Sequence, residues 1–161
     1  MPSPGDLVTG QSFDGPAWDQ ADLSETVFDD CTFTDGLFGG ATMNAARFVN
    51  CRLVRCVFTH TDLREASFKR CVLRDPGGRS GANFAFARLD EASFDHCDLT
   101  HARFEGADLY AAAFRDCQML GVQFARARFH RAFGRSVVRA SVSLLRCNLE
   151  LCDLSGARLG G

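Results

Sequence analysis

Eight cysteines and four histidines are the side chains of this 161-residue sequence best suited to metal binding, redox chemistry or catalysis. The cysteines do not cluster in the sequence as zinc ligands do, and the histidines lie in no spacing typical of a metal site or a catalytic triad. No glycine-rich phosphate-binding loop is present. We therefore expect no cofactor, no bound metal and no enzymatic activity.

The cysteines share one feature, which is their place in a five-residue repeat. In residues 21–75 every fifth residue is Leu, Phe or Met, and the residue two places earlier is Ala, Cys, Thr or Gly. The pattern resumes after breaks at 76–81 and 132–141. Every cysteine occupies the small-residue position: Cys31, Cys51, Cys56, Cys71, Cys97, Cys117, Cys147 and Cys152. This register favours buried thiols over reactive ones, because Cys is a small, readily buried residue.

A five-residue period determines how the chain must run. On an α-helix, steps of five rotate by about 140° and form no stripe. On a straight strand, residues five apart point to opposite faces. The chain must therefore turn once per pentapeptide, with the first and third positions inward and the other three facing solvent. Cys31, Cys51 and Cys71 are evenly spaced at intervals of four repeats, which suggests four pentapeptides per coil.

This register, with Phe or Leu at the centre of sequences such as ADLYA and ARFEG, resembles the pentapeptide-repeat family. The resemblance implies an all-β fold, a right-handed quadrilateral β-helix of about seven coils. Coils stacked at the spacing of β-strands would give a rod about 34 Å long. We expect residues 1–20 to form an N-terminal cap or first coil, and residues 21–161 to form the β-helix with its interruptions at 76–81 and 132–141.

Three stretches are similar to the Qnr quinolone-resistance branch of this family: TDLREASFKRCVL (61–73), CQMLGVQF (117–124) and the interrupted segment 127–149. The resemblance implies binding to DNA gyrase or topoisomerase IV and protection of that enzyme from poisons such as quinolones. It implies partial DNA mimicry with loops touching the enzyme, and a homodimer formed through the C-terminal coils.

The charge distribution limits how far DNA mimicry can extend. The net charge is −2, whereas B-DNA of about 34 Å carries about 20 phosphate charges. Residues 1–46 nevertheless hold eight acids and no Lys or Arg, whereas residues 123–161 hold seven Arg and two acids. We therefore expect mimicry to be local, with Asp29 and Asp30 in the N-terminal band and Asp90 and Glu91 in a second acidic stretch as candidate contacts. The alternative is that these acids only keep the rod soluble.

The break at 132–141 is the strongest candidate for a functional loop, because loops leaving a rigid scaffold often carry binding residues. Phe133, Arg135, Val138 and Arg139 would form a mixed apolar and basic contact surface. The alternative is a degenerate coil that stays in the rod. The break at 76–81, rich in Gly and holding a Pro, predicts a turn, a bulge or a small protruding corner.

Two other functions stay open from the sequence. The chain could be a non-catalytic interaction scaffold for an unknown protein partner. Direct nucleic-acid binding by the Arg-rich segment 123–139 is less favoured, because that segment lacks the interleaved aromatic residues of single-strand binders. The sequence has no secretory signal and no apolar stretch that could span a membrane, so we expect a cytoplasmic protein.

Overall fold

The computed structural model describes residues 1–133, 137–140 and 142–158, and its regular elements are short β-strands. None of the described residues forms a helix that could cross a bilayer. The strands are β1 (Leu7–Thr9), β2 (Ser12–Asp14), β3 (Val27–Asp29), β4 (Thr32–Thr34), β5 (Arg47–Val49), β6 (Arg52–Val54), β7 (Ser67–Lys69), β8 (Ser93–Asp95), β9 (Ala113–Arg115), β10 (His130–Phe133), β11 (Val137–Ala140) and β12 (Ser143–Leu145).

The strands stack coil upon coil in parallel. Face 1 is a sheet of seven strands in the order β1-β3-β5-β7-β8-β9-β12. Face 2 begins with the sheet β2-β4-β6, and faces 3 and 4 are columns of single parallel bridges that begin at Ala17↔Leu37 and Asp22↔Thr42. Four columns of pairing make the β-helix quadrilateral, so the expected fold class is confirmed. Seven levels of pairing are present on face 1, from β1 to β12, and seven on face 4, from Asp22 to Arg158, so the described residues form seven coils.

The third position of each pentapeptide fills the axis of the rod. On face 1 the rings of Phe28, Phe48, Phe68, Phe94 and Phe114 form one stack, with centroids 4.8–5.0 Å apart. A second stack on face 3 meets the first edge to face, as Phe84 meets Phe94 with centroids 5.8 Å apart and planes at 83°. All these rings are fully buried. Stacked and edge-to-face contacts are the favoured arrangements of aromatic pairs, so the core is both apolar and geometrically specific.

The small residues of the first position close the corners of the core. Six of the eight cysteines are buried and all eight are free thiols. Their sulfur atoms donate to backbone carbonyls of the preceding coil, as Cys51 Sγ does to the carbonyl of Phe28 at 3.3 Å. Thr61 takes the same position and its hydroxyl donates to the carbonyl of Phe38 at 2.7 Å. The expectation of core thiols agrees with this placement.

Each corner of the coil requires an unusual backbone conformation at the fifth position. Nineteen of the described non-glycine residues have φ between 52° and 62°, among them Asp30, Glu91 and His96. This left-handed conformation is costly for residues with a Cβ and persists only where the surroundings hold it. Within the rod the backbone N–H of such a residue donates to a carbonyl of the next coil, as Asp30 does to Val49 at 2.9 Å.

The two sequence interruptions leave the stacking of the coils intact. In regular coils the partners are separated by four pentapeptides, as in the bridge Leu37↔Val57. The bridge Val57↔Asn83 skips six further positions, and the pair Ala113↔Ser143 skips ten, so these segments are looped out of the rod. The first loop is a compact corner in which Asp75 accepts from the backbone N–H of Gly77 at 3.0 Å. The second loop contains the antiparallel pair β10–β11.

Candidate partner-binding surfaces

The N-terminal coils carry a band of acids with few cations to neutralise them. The acidic band consists of Asp6, Asp14, Asp19, Asp22, Glu25, Asp29, Asp30 and Asp35. Of these eight acids, only Asp35 forms an ion pair with another described residue, and its partner is Arg55 at 2.6 Å. Asp29 lies half-buried at the end of β3, where it accepts from Asn50 Nδ2 at 3.4 Å, and Asp30 is exposed at the adjoining corner. Both predicted contact residues therefore belong to an uncompensated negative surface.

Farther along the rod, seven of the twelve acids form an ion pair with an arginine among the described residues, and most of these arginines lie one coil away. Arg128 Nε lies 2.6 Å from Asp108, and Arg146 holds Asp116 with two hydrogen bonds of 2.5 and 2.9 Å. The Arg146 guanidinium keeps the pKa of the Asp116 carboxyl below its usual value. These pairs are exposed and add little stability each, but they cancel the local field. The negative potential is thus concentrated on the first two coils.

Asp90 and Glu91, predicted as a second acidic contact, lie in very different surroundings. The Asp90 side chain is only 11% exposed and forms an ion pair with Arg131. The Arg131 guanidinium also lies over the ring of Tyr110, 4.7 Å from its centroid. Glu91 is exposed at the following corner. Asp90 is therefore engaged within the chain, and of these two only Glu91 presents a free acidic surface.

At the second interruption, the described strands β10 and β11 pair antiparallel and form a β-hairpin outside the coil. In the register of β10 and β11, Phe133 pairs with Val137, Ala132 with Val138, and Arg131 with Arg139. Three of the predicted contact residues, Phe133, Val138 and Arg139, thus lie on its two strands, and Arg135 lies outside the described residues. The antiparallel pairing excludes the alternative of a degenerate coil, because coils of this rod pair in parallel.

Sequence reasoning missed the residue that joins this hairpin to the rod. Arg131 lies in β10, and its contacts with Asp90 and Tyr110 reach two coils of face 4. We call these three residues the hairpin clamp. No local motif identifies it, since Asp90 and Arg131 are 41 residues apart. The sequence feature that could have indicated Arg131 is its position, since it is a basic residue at a corner directly before the break.

One cluster among the described residues has side chains that could bind a metal, but these side chains already form ion pairs. The ligand atoms of Asp95, His96 and Asp116 all lie within 4.8 Å of one another. However, Asp116 already binds the Arg146 guanidinium, and His96 Nδ1 lies 2.6 Å from Asp95. Arg146 thus supplies the positive charge at this position. Burial raises the pKa of the Cys56 thiol to about 12, which disfavours the thiolate that metals and oxidants require.

Comparison with known proteins identifies relatives of a large part of the chain. The family described as pentapeptide repeats matches residues 37–75 and 80–116, with eight copies of the repeat. Among curated proteins, the quinolone resistance pentapeptide repeat protein QnrB96 of Scandinavium goeteborgense is 29% identical over 104 residues, which are 65% of this chain and 49% of that protein. The chain therefore spans about half the length of this relative.

Solved structures show the same fold. Full-length QnrB1, a plasmid-mediated fluoroquinolone resistance protein, matches with a TM-score of 0.64 at 20% identity, covering 95% of this chain and 70% of that chain. A trypsin-treated variant of QnrB1 matches with a TM-score of 0.57 at 22% identity, covering 94% and 70% of the two chains. At these identities the likeness extends to the architecture, and it agrees with the four-faced coil described above.

Proposed function

We propose that this chain, which belongs to the pentapeptide-repeat family, binds a type II topoisomerase and protects it from poisons such as quinolones. The observation that carries the proposal is the similarity to QnrB96 together with a hairpin that leaves an otherwise regular rod. DNA gyrase is the favoured partner and topoisomerase IV the second. The role is one of binding without catalysis, and we expect it to be carried out in the cytoplasm, where such a partner acts on DNA.

The acidic band supports a partial form of DNA mimicry. A basic DNA-binding surface would attract the N-terminal coils, where seven of eight acids have no ion pair among the described residues. The seven coils are separated by six spacings of about 4.8 Å and so span about 29 Å, a length over which B-DNA carries about 17 phosphate charges. The band supplies fewer than half of these. Electrostatic attraction therefore guides the encounter, and the hairpin adds the specific contacts.

Exposed leucines on the seventh coil support association of two rods. The last coil exposes Leu144, Leu149 and Leu154 by 41–49% of their surface, around an apolar cavity of about 260 Å³. Apolar surface of this kind and the strand edges beside it favour association. A two-fold dimer through these coils covers both and leaves the two acidic bands at the far ends.

Purified protein should restore supercoiling by DNA gyrase in the presence of a quinolone. The two loops provide matched deletions, because removing 132–141 or 76–81 returns the affected coil to four pentapeptides. We expect the variant lacking 132–141 to lose protection and the variant lacking 76–81 to keep it. Absence of both rescue and gyrase binding by the intact chain would overturn the proposal.

A second function is that of an interaction scaffold for a different protein. The observation that favours it is the neutralised middle of the rod, whose paired acids do not resemble a DNA backbone. The same deletions distinguish the two functions. A scaffold would fold, bind no gyrase and leave quinolone inhibition unchanged in every variant.

A further inference from the structure

The corner between faces 3 and 4 contains a cavity near the C-terminal end of the rod. Its volume is about 300 Å³ and it is lined by Phe86, Gly106, Arg126, Arg128, Gly156 and Arg158. These residues come from four successive coils. Three of them are arginines and none is acidic, so the cavity is far more basic than the chain as a whole.

The cavity exists because glycine alternates with long side chains along this corner. Gly106 has φ +64°, and a Cβ built on it would lie 2.5 Å from Cε1 of Phe86. The Phe86 ring thus occupies the space that a side chain at position 106 would fill, and it lines the cavity. On its other side the ring stacks on His60, with centroids 5.3 Å apart and planes at 11°. Phe86 is 49% exposed, so an aromatic surface is available to a ligand.

The arginines that line the cavity keep N–H groups that no ion pair among the described residues uses. Arg128 is fixed by two bonds to Asp108, from Nε at 2.6 Å and from Nη2 at 3.0 Å, which leaves its other terminal nitrogen free to donate. Arg126 contacts Glu105 through Nη2. Arg158 forms no ion pair within the part of the chain that the structure describes.

Arg128 and Arg158 are direct neighbours on adjacent coils of face 4, where their backbones form a parallel bridge. Like charges placed opposite each other on neighbouring strands repel and destabilise the pairing. One carboxylate, from Asp108, offsets these two guanidinium groups. An oxyanion bound between them would remove the repulsion and accept several charge-assisted hydrogen bonds.

We propose that this corner cavity binds a nucleoside phosphate, with the phosphate between Arg128 and Arg158 and the base against the ring of Phe86. A phosphate matches the paired guanidinium groups in charge and geometry, and a nucleobase stacks on an aromatic ring irrespective of its sequence. The ligand is either a free nucleotide or the phosphorylated end of a nucleic-acid strand. The inference does not depend on topoisomerase binding, because the cavity includes neither the acidic band nor the hairpin.

Calorimetric titration with adenosine 5′-monophosphate, adenosine and ribose 5-phosphate tests the site. We expect the nucleotide to bind about tenfold more tightly than either fragment, because only the nucleotide uses both halves of the cavity. Arg158→Ala should weaken nucleotide binding about tenfold, as expected for a lost charge-assisted contact. Phe86→Ala should weaken binding of the nucleotide but not of ribose 5-phosphate. Arg55→Ala, at an ion-paired corner away from the cavity, serves as the matched control and should bind as the wild type does.

The exposed positions of Phe86 and Arg158 allow substitution without loss of the fold, which circular dichroism verifies for each variant. A 5′-phosphorylated single-stranded dodecamer distinguishes a strand end from a free nucleotide as the ligand. If the dodecamer binds more tightly than the mononucleotide, the ligand is a strand end; if the two bind equally, it is a free nucleotide. Unchanged nucleotide affinity in the Arg128→Ala/Arg158→Ala double variant would overturn the proposal. So would binding of a poly-glutamate peptide without binding of the nucleotide, because the cavity would then serve an acidic protein segment.

Discussion

The ring of Phe48 lies parallel to the ring of Phe68 in the next coil, with centroids 4.8 Å apart and planes 1° apart. Phe68 repeats this relationship with Phe94, again at 4.8 Å. The ring separation equals the spacing of adjacent strands in a sheet, so the aromatic stack and the backbone ladder have the same repeat. Each inner ring is therefore packed on both faces, and loss of one ring affects two coils.

Replacement of Phe68 by alanine should lower the free energy of unfolding by about 3–5 kcal/mol, because the change removes a fully buried ring and leaves a cavity within the stack. Phe86→Ala is the control, since Phe86 is 49% exposed at a corner. Its cost should stay below about 1 kcal/mol, within the range of surface substitutions. Chemical denaturation followed by circular dichroism measures both. Equal costs for the two variants would contradict a core built on the ring stack.

The buried thiol of Cys56 should make stability depend on alkaline pH. Burial raises its pKa in the folded state to about 12, above the ordinary thiol value of about 8.5 in the unfolded chain. The unfolded chain therefore loses this proton first, and the contribution to stability is complete below about pH 8.5 and declines as pH rises toward 12.

The variant Cys56→Ala isolates this contribution, since alanine occupies the same repeat position in other coils. Denaturation midpoints of wild type and variant should converge as pH rises from about 8 to about 11. A constant difference between the two proteins across this range would refute the assignment to Cys56.

Loss of the hairpin clamp should loosen the hairpin without unfolding the rod. Asp90→Asn removes the charge that binds Arg131 and should expose the chain around Phe133 to chymotrypsin more often. We expect faster cleavage at this site with an unchanged circular-dichroism spectrum. Asp35→Asn is the matched control, because Asp35 pairs with Arg55 far from the hairpin. If both variants are cleaved at the wild-type rate, Arg131 does not restrain the hairpin.

Neutralising part of the acidic band should slow association with the proposed topoisomerase partner. Asp29→Asn/Asp30→Asn removes two charges that have no ion pair among the described residues. We expect a lower association rate constant, with a difference from wild type that shrinks as salt is added, because exposed charges act over the screening length. Asp62→Asn provides the comparison, since Asp62 is paired with Arg64 at 2.6 Å. Surface plasmon resonance at two salt concentrations measures both, and an equal slowing in the two variants would argue against the acidic band.

The sequence alone determined the coil and its core, and the cysteine spacing suggested the four-pentapeptide turn that the bridges of the structure establish. A five-residue period with Leu or Phe at one position and Ala or Cys two places earlier can be buried in only one kind of winding, which is why Phe48, Phe94 and Phe114 could be placed inside it. The sequence also located both interruptions. Pro76 and the glycines after it break the pattern at 76–81, and at 132–141 the residues in the Phe/Leu position are Gly134 and Arg139, which cannot continue the stack.

Only the tertiary structure decided which surface groups are free to act. The sequence predicted Asp90 and Glu91 as equivalent outward acids, yet Asp90 is engaged by Arg131 and Glu91 is exposed. Their difference depends on a contact 41 residues away, and neither the repeat nor local charge encodes it. The cavity beside Phe86 has the same origin, since stacking brings Gly106, Arg128 and Arg158 to one corner. The repeat specifies whether each side chain points inward or outward. Which side chains become neighbours on adjacent coils depends on the lengths of the loops that interrupt the repeat.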